Sequence, residues 1–401
     1  MFRSGHKITD LFSRVTSSGR YIPELDGLRF LAIGLVFWQH VQQHVVARSA
    51  AAGGLRWDLV SRYVESARIG VELFFLISGF ILGLPFASQY LCGGRPVSLK
   101  QYFLRRLTRL EPPYLFVSIA SLLLLSIYWG NSLQWLFPHF LAGLFYLHNA
   151  IYHTFNPVNS VTWSLEIEVQ FYLLAPLLAK LFGISGKVRR RSVLVLVPLV
   201  AFTARQLVER SLHLTLPPTL LTALPSFMMG LLLADIYLTD WREQGPLEVG
   251  RQYAWDAAAA AIWFGLGWTF FTTLPAQSLL TALLLFLFCF AVFKGRVIRR
   301  WLAVAPIRLV GGMCYSIYLL HFMMLDLLAQ HWPRTSLSGI VTVDVGAALV
   351  IFGAAVLVAS SLFFLLVEKP CMDGRWPGKL GRRFSRQATL EVRQLQPRPP
   401  W

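Results

Sequence analysis

The stretch LDGLRFLAIGLVFWQH, residues 25–40, places an arginine and a histidine in an otherwise apolar run. Eleven positions separate Arg29 from His40, so in an α-helix their side chains point within roughly 20° of each other, about 16 Å apart along the axis. Ionisable groups inside membrane helices are costly and usually functional. Histidine is a suitable general base for a hydroxyl proton, and Asp26 lies one turn before Arg29, where it can pair with it. The structural alternative is that Arg29 reaches the lipid headgroups and His40 binds a carbonyl.

The elements that position these side chains must be membrane helices. Of the 401 residues, 55% are hydrophobic and 14% are charged, against about 25% charged residues in an ordinary soluble domain, and the mean hydropathy is +0.55. We therefore predict an all-α, polytopic integral membrane protein. The net charge of +17 comes from basic clusters in short loops, which is typical of the positive-inside rule and does not indicate nucleic-acid binding. The four cysteines are scattered, so neither a disulfide framework nor a metal site is predicted.

Ten apolar runs are long enough to cross a bilayer, which takes about 20 residues. They lie at 27–48, 68–88, 111–130, 163–182, 191–209, 218–238, 254–272, 276–294, 308–330 and 340–367. With ten spans and a cytoplasmic N-terminus, five basic clusters and the C-terminus are all cytoplasmic. A shorter run, 134–149, is then a re-entrant or surface element, because counting it as a span would place three clusters outside. The predicted domains are a cytoplasmic segment 1–20, a membrane domain 21–372 and a basic, disordered cytoplasmic tail 373–401.

Six motifs resemble those of one known family, the membrane acyltransferase family three. The arginine–histidine stretch is similar to the family's first motif. The others, in chain order, are RIGVELFFLISGF (68–80), FLRRLTRLEPPYLF (103–116), TWSLEIEVQFYLLAPLL (162–178), CYSIYLLHF (314–322) and LVEKP (366–370). Each motif is weak alone, but six in the right order cover roughly residues 20–372. The resemblance implies transfer of an acyl group from cytoplasmic acyl-CoA to a hydroxyl, often on a sugar outside.

The resemblance also assigns roles to individual residues. The motif arginine is Arg29, the motif histidine is His40 and the motif glutamate is Glu168, and these are the three predicted catalytic residues. A carboxylate can orient an imidazole and stabilise its cation in a low-dielectric site, so Glu168 would serve His40 in this way if the two meet. Glu72 stands where the family commonly has an aspartate, and Glu166 occupies a position that is usually small.

Arginines at the third span point to the donor. Arg105, Arg106 and Arg109 precede that span, and guanidinium groups bind phosphates with paired donors. They are predicted to hold the phosphates of acyl-CoA, with a positive-inside anchor as the alternative. The further candidates for substrate binding are Asp26, Glu72, Trp163, Tyr318 and His321.

Other candidate residues have structural alternatives. His321 could belong to the active site, although a structural histidine bonded to a backbone carbonyl is favoured. Cys314 as an acyl-carrying nucleophile is disfavoured, because a thiol in apolar surroundings is usually inert. Four histidines at the predicted outer face could line an acceptor entrance or simply be solvated: His44, His139, His148 and His153.

The predicted function is a multi-pass O-acyltransferase of the cell membrane. It would take an acyl group, acetyl by preference, from acyl-CoA as a donor substrate, with no bound cofactor, and place it on a carbohydrate or glycan hydroxyl. The rival hypothesis is a transporter or permease for a glycan or lipid, which would share the spans and the buried charges. The motif set favours the enzyme, and the sequence shows no internal repeat of the kind typical of transporters.

Overall fold

The computed structural model describes residues 11–14, 21–49, 56–65, 68–212, 218–241, 248–269 and 277–372. Within these ranges the chain is helical, and the single β-bridge joins Arg56 to Ile340. The all-α prediction is therefore confirmed for the described residues. The predicted terminal segments, 1–20 and 373–401, lie outside them except for 11–14, so the domain boundaries stay a prediction.

Sixteen α-helices make up the described fold. They are α1 (Pro23–Ser49), α2 (Leu59–Glu65), α3 (Arg68–Cys92), α4 (Leu99–Ile127), α5 (Leu133–Leu144), α6 (His148–Tyr152), α7 (Trp163–Leu178), α8 (Lys187–Leu212), α9 (Leu220–Thr239), α10 (Val249–Thr269), α11 (Gln277–Lys294), α12 (Val297–Leu302), α13 (Ala305–Gly312), α14 (Cys314–Ala329), α15 (Val341–Phe363) and α16 (Lys369–Met372). Two 3-10 helices, Ser160–Thr162 and Ala179–Gly183, flank α7, and a π-helix, Phe364–Glu368, joins α15 to α16.

Six helices of the described chain are long and apolar enough to cross a membrane: α3, α4, α8, α9, α11 and α15. Helices α13 and α14 pass the same test as a pair bent by 67°, which gives up to seven spans in the described residues. Helices α1, α7 and α10 occupy three more of the predicted positions without passing it. For α7 the reason is length, since it has 16 residues. The multi-pass architecture is thus supported, while the count of ten stays a prediction.

The segment predicted to be re-entrant folds as two short helices, α5 and α6, of 12 and 5 residues. Twelve residues make about 18 Å of helix, less than the roughly 30 Å of hydrocarbon in a bilayer. At α6, both carboxylate oxygens of Glu166 lie 3.1 Å from the backbone N of Asn149, which donates its N–H. These lengths support the re-entrant or surface interpretation, and Glu166 has a structural role in holding α6.

Contacts between charged side chains gather the basic loops at one end of the bundle. Lys187, at the start of α8, binds Asp240 just after α9, at 2.6 Å. Lys294, at the end of α11, lies 4.9 Å from the ring of the tryptophan that follows Asp240. Arg299 in α12 lies 3.7 Å from Glu24 at the start of α1. The start of α1 and these clusters therefore share one end, called the basic end below, and its cytoplasmic orientation stays a prediction.

The protonation state of the Asp240 carboxylate makes the stability of the basic end depend on pH. Burial by itself raises the pKa of Asp240, but hydrogen bonds from Arg191 and Lys187 hold that pKa well below its ordinary value. A carboxyl with a lowered folded-state pKa stabilises the fold above its unfolded-state pKa, and this contribution is lost as the pH falls through the folded-state pKa. The contact is therefore fully formed at neutral pH and weakens only in strong acid.

Helices α3 and α9 approach closely in the main core because glycines line their interface. A Cβ at Gly79 would lie 2.2 Å from the backbone oxygen of Phe227, and a Cβ at Gly230 would lie 2.2 Å from that of Leu76. Small residues let membrane helices come close enough for backbone packing. Helix α1 of the candidate site packs against α3 of this pair.

Replacing Gly230 with alanine is expected to destabilise the protein by about 1–3 kcal/mol, the usual cost of overpacking a tight interface. Gly34→Ala is the matched control, since a Cβ there has no neighbour within 4 Å and alanine favours a helix. Thermal unfolding in detergent, followed by the loss of the monodisperse chromatographic peak, measures both. Equal midpoints for the two variants would contradict the close packing of α3 on α9.

Candidate active site

Helices α1 and α14 lie side by side and run in the same direction. The ring centroids of His40 and His321 are 5.3 Å apart, and Nε2 of His44 lies 2.9 Å from Oδ1 of Asp326. Because residue numbers rise together along this contact, the two helices are parallel. Arg29 lies three helical turns before His40, toward the basic end. The structure thus gives α1 two chemically different ends, as the spacing predicts.

His321 is completely buried, and its hydrogen bonds fix its tautomer. Nδ1 lies 3.0 Å from the carbonyl oxygen of Ile317 and 2.8 Å from that of Tyr318. Carbonyls only accept hydrogen bonds, so Nδ1 carries the proton and Nε2 keeps a basic lone pair. Nε2 is buried and has no partner in the described part of the chain. The carbonyl bonds fit the structural interpretation of His321, but the lone pair leaves a proton acceptor beside His40.

His40 presents a similar imidazole. Its Nδ1 lies 3.0 Å from Oε1 of Gln43, and an amide oxygen accepts, so the Nδ1–H form again leaves the lone pair on Nε2. The ring packs edge-on against Phe322, with centroids 5.2 Å apart. His40 is half-buried, so a substrate can reach it. Two imidazoles with basic nitrogens therefore lie together, and His40 is the accessible one.

Asp26 organises the basic end of α1. Its buried carboxylate accepts hydrogen bonds from Arg29 at 2.5 Å, from Arg14 at 3.0 Å and from the hydroxyl of Tyr21 at 2.9 Å. The predicted Asp26–Arg29 pair is present, and Arg14 is an addition that sequence reasoning missed. Two guanidinium groups on one carboxylate leave a net positive site.

A second buried carboxylate at this end, Glu368, was not among the predicted site residues. Its Oε2 accepts the backbone N–H of Ser316 at 3.0 Å and the hydroxyl of Ser316 at 2.5 Å. Oε1 is buried and unpartnered within the described residues, and the positive charges of Arg109 and Arg14 act on this carboxylate. Glu368 ends the π-helix, a form that frequently marks functional sites. The LVEKP motif is the signal that could have identified it.

The three predicted donor-binding arginines differ in their surroundings. Arg105 is exposed, whereas Arg106 lies 3.9 Å from the ring centroid of Tyr102 and 5.6 Å from that of Tyr172. Helix α4 begins at Leu99, well before the predicted span, so all three arginines lie on helix. The Nε–H groups of four arginines are buried without an acceptor in the described part of the chain: Arg14, Arg106, Arg109 and Arg308.

Glu168 lies beside Ser78 and Tyr172, and it does not contact His40 within the described residues. Its Oε1 accepts the hydroxyl of Ser78 at 2.8 Å and also that of Tyr172. Among the described residues it makes no hydrogen bond or ion pair with His40. The ring of Tyr172 in turn lies near the guanidinium group of Arg106. Glu168 is therefore connected through Tyr172 to the arginines of α4.

The remaining candidates hold helices together. Glu72 on α3 accepts the hydroxyl of Ser226 on α9 at 2.5 Å. Tyr318 donates its hydroxyl to the carbonyl of Val161 at 2.6 Å, which ties α14 to the 3-10 helix before α7. Trp163 begins α7 and packs against the main core.

The four histidines of the predicted outer face lie in three different environments. Nδ1 of His139 and Nε2 of His148 lie 2.9 Å apart, so these two bind each other, and His153 is exposed. His44 alone of the four bonds to the His40–His321 region within the described residues, through the carbonyl of His40 at 2.7 Å. Its link to Asp326 crosses 282 positions of sequence, which no local pattern could reveal.

Comparison with known proteins identifies the family of the chain. A family model described as an acyltransferase domain matches residues 22–364. The chain is 24% identical to the O-acetyltransferase OatA of Staphylococcus aureus over 335 residues, which cover 76% of this chain and 51% of that protein. It is 31% identical to the peptidoglycan O-acetyltransferase OatA of Listeria monocytogenes over 170 residues, or 40% of this chain and 24% of that protein. The chain spans about half the length of the S. aureus relative, and no solved structure matches it.

The matched region contains nearly everything on which the site depends. It includes helices α1 to α15 and every motif stretch except LVEKP at 366–370. It also includes His40, His321, Asp26 and the arginines of α4. The chain therefore belongs to the membrane acyltransferase family three.

Proposed function

We propose that this protein is a multi-pass O-acyltransferase of the cell membrane that moves an acetyl group from acetyl-CoA to a carbohydrate hydroxyl. The observation that carries the proposal is the two-ended site along α1. Arginines whose Nε–H groups lack an acceptor within the described residues gather at the basic end, and the accessible imidazole of His40 lies about 16 Å further along the same helix. A phosphate-bearing donor and a hydroxyl acceptor need these two environments.

The basic end suits the phosphates of coenzyme A. Buried N–H groups without acceptors are costly, and four arginine Nε–H groups are in that state within the described residues. Phosphate oxygens are their natural acceptors, and guanidinium groups bind them with high geometric specificity. Asp26 keeps Arg14 and Arg29 in place, and Glu168 holds Tyr172 beside Arg106. The adenine-nucleotide part of the donor would bind here, with the thioester extending along α1.

His40 would act as the general base. Nε2 takes the proton of the acceptor hydroxyl as the oxygen attacks the thioester carbonyl. The tetrahedral intermediate collapses, the carbon–sulfur bond breaks, and the proton passes from His40 to the coenzyme A sulfur. The products are an ester and free CoA thiol. Gln43 holds His40 in the tautomer that this step requires.

The relatives support a glycan as the acceptor class. Both are named O-acetyltransferases, and the L. monocytogenes protein is named for peptidoglycan. Family membership favours the enzyme over the rival transporter. Release of CoA thiol from acetyl-CoA by purified protein tests this directly. We expect release that depends on an added glycan, whereas a transporter would release none.

The proposed donor site predicts that removing its arginines weakens acetyl-CoA binding. Replacing Arg106 and Arg109 together with alanine is expected to weaken acetyl-CoA binding by at least about 100-fold, since each charge-assisted hydrogen bond contributes about 1.5–3 kcal/mol and at least one is lost per arginine. Lys100→Ala, an exposed cation in the first turn of the same helix, is the control for general charge. Calorimetry in detergent measures both affinities. Unchanged binding by the folded double variant would leave these arginines as topology anchors.

A further inference from the structure

A small cleft opens beside the histidines, on the side of the bundle opposite the basic end. It lies between the end of α4, the 3-10 helix before α7, and the second half of α14. Aliphatic side chains, among them Leu124, Leu125 and Met323, form part of its lining, and the polar and aromatic part includes Trp129, Asn159, Ser160, Phe322 and Asp326. The ring of Phe322 connects it to the active site, because its centroid lies 5.2 Å from those of His40 and of His44. A molecule in the cleft is therefore a neighbour of the proposed base.

Two oxygen atoms of the lining are free to accept hydrogen bonds. Asn159 is 6% exposed. Its Nδ2 donates to the carbonyl of Leu319 at 3.2 Å, which fixes the amide and leaves the buried Oδ1 without a partner in the described part of the chain. Asp326 uses Oδ1 for His44 at 2.9 Å, and its Oδ2 makes no hydrogen bond within the described residues. A buried, unpartnered polar atom in a native protein requires an explanation.

The chemistry of these groups selects the ligand. Oδ1 of Asn159 and Oδ2 of Asp326 only accept, so they match hydroxyl groups that donate, and the hydroxyl of Ser160 can do either. The Trp129 ring is half-buried and offers an apolar face to the C–H surface of a sugar ring. A carboxylate or phosphate on the ligand would bring only more acceptors and a charge that repels Asp326. The cleft thus favours a neutral, hydroxyl-rich ring.

We propose that this cleft is the acceptor subsite, which binds one neutral sugar ring by its hydroxyl edge and excludes uronic acids and phosphorylated sugars. The proposal rests on the proposed function, because it names the acceptor of that reaction. Trp129, Asn159 and Asp326 are specificity-determining residues in it. They bind the ring so that one further hydroxyl faces His40, past the edge of Phe322.

Acceptor kinetics test the subsite with defined probes. Acetyl transfer from saturating acetyl-CoA is measured with a neutral probe, chitotetraose, and an anionic one, tetragalacturonic acid. We expect transfer to the neutral probe and at least tenfold lower kcat/KM for the anionic probe. Trp129→Ala and Asp326→Asn should each raise the KM for chitotetraose about tenfold or more while leaving acetyl-CoA affinity unchanged. Trp135→Ala, a 53% exposed tryptophan outside the cleft lining, is the control and should keep the wild-type KM.

The possible outcomes distinguish a wrong acceptor subsite from a wrong assignment of the acyl-transfer reaction. Wild-type KM values in both cleft variants, or equal use of the two probes, would overturn the subsite while leaving the acyltransferase intact. If the wild-type protein binds acetyl-CoA and acetylates neither probe, transfer to carbohydrate fails, and the subsite fails with it. Since Asp326 also binds His44, Trp129→Ala decides the result. A raised KM in Trp129→Ala supports the subsite, and a wild-type KM in it overturns the subsite even if Asp326→Asn lowers kcat.

Discussion

Replacing His40 with alanine is expected to lower kcat by about 10²–10⁴-fold, the usual contribution of a general base. Acetyl-CoA affinity should stay close to that of the wild type, because the arginines that would hold the donor lie at the other end of α1. The measurement is acceptor-dependent CoA release at saturating donor, beside calorimetric binding of acetyl-CoA. The structure adds a reason to expect a residual rate, since His321 keeps a basic nitrogen in the same pocket.

Two comparisons make the His40 result specific. His331→Ala removes an exposed histidine beyond the end of α14 and should leave kcat unchanged. Arg29→Ala should weaken donor binding as well as turnover, because Arg29 belongs to the basic end. A folded His40→Ala protein with wild-type turnover would make His40 structural. Equal loss of donor binding in the His40 and Arg29 variants would refute the division of α1 into two ends.

Replacing Asp26 with alanine is expected to have the largest effect on stability. Asp26 is 3% exposed and accepts from Arg14, Arg29 and Tyr21, so its removal leaves two largely buried guanidinium groups together without their carboxylate. Breaking a buried ion pair in this way costs about 3–5 kcal/mol. Thermal unfolding in detergent, with and without acetyl-CoA, measures the loss.

An exposed ion pair provides the control for Asp26. Glu248 and Arg251 lie 3.8 Å apart with side chains 84% and 73% exposed, so Glu248→Ala should change stability little. Added acetyl-CoA should restore part of the stability of Asp26→Ala, since donor phosphates would supply the missing negative charge. A loss in Asp26→Ala no larger than in Glu248→Ala would show that the cluster is solvated.

The sequence alone predicted the features that depend on residue spacing within one helix or on short motifs. The Arg29–His40 stripe follows from helical periodicity alone, and the Asp26–Arg29 pair from spacing along one helix. The six motifs identified the family over most of the chain. The Asp26–Arg29 contact is present in the structure and the family is confirmed, whereas the roles of Arg29 and His40 stay predictions.

Contacts between helices distant in sequence determine the features that the sequence alone did not predict. Whether Glu168 meets His40 was left open by the sequence, and in the structure Glu168 accepts hydrogen bonds from Ser78 and Tyr172 instead. The predicted span 308–330 is two helices bent by 67°, where Gly311 lets α13 approach the backbone of Asp26 so closely that a Cβ would lie 1.8 Å from its oxygen. The burial of Glu368 depends on a π-helix, which has no simple sequence signature.

The most direct test of the central claim is the fate of the acetyl group. Purified protein in detergent receives acetyl-CoA labelled in the acetyl carbon, with and without chitotetraose, and the label is followed by chromatography. The account predicts that label moves to the sugar as an ester, is released by mild alkali, appears in a one-to-one ratio with free CoA, and is nearly absent with His40→Ala. Label released as free acetate at the same rate without sugar, or label transfer undiminished in His40→Ala, would contradict it.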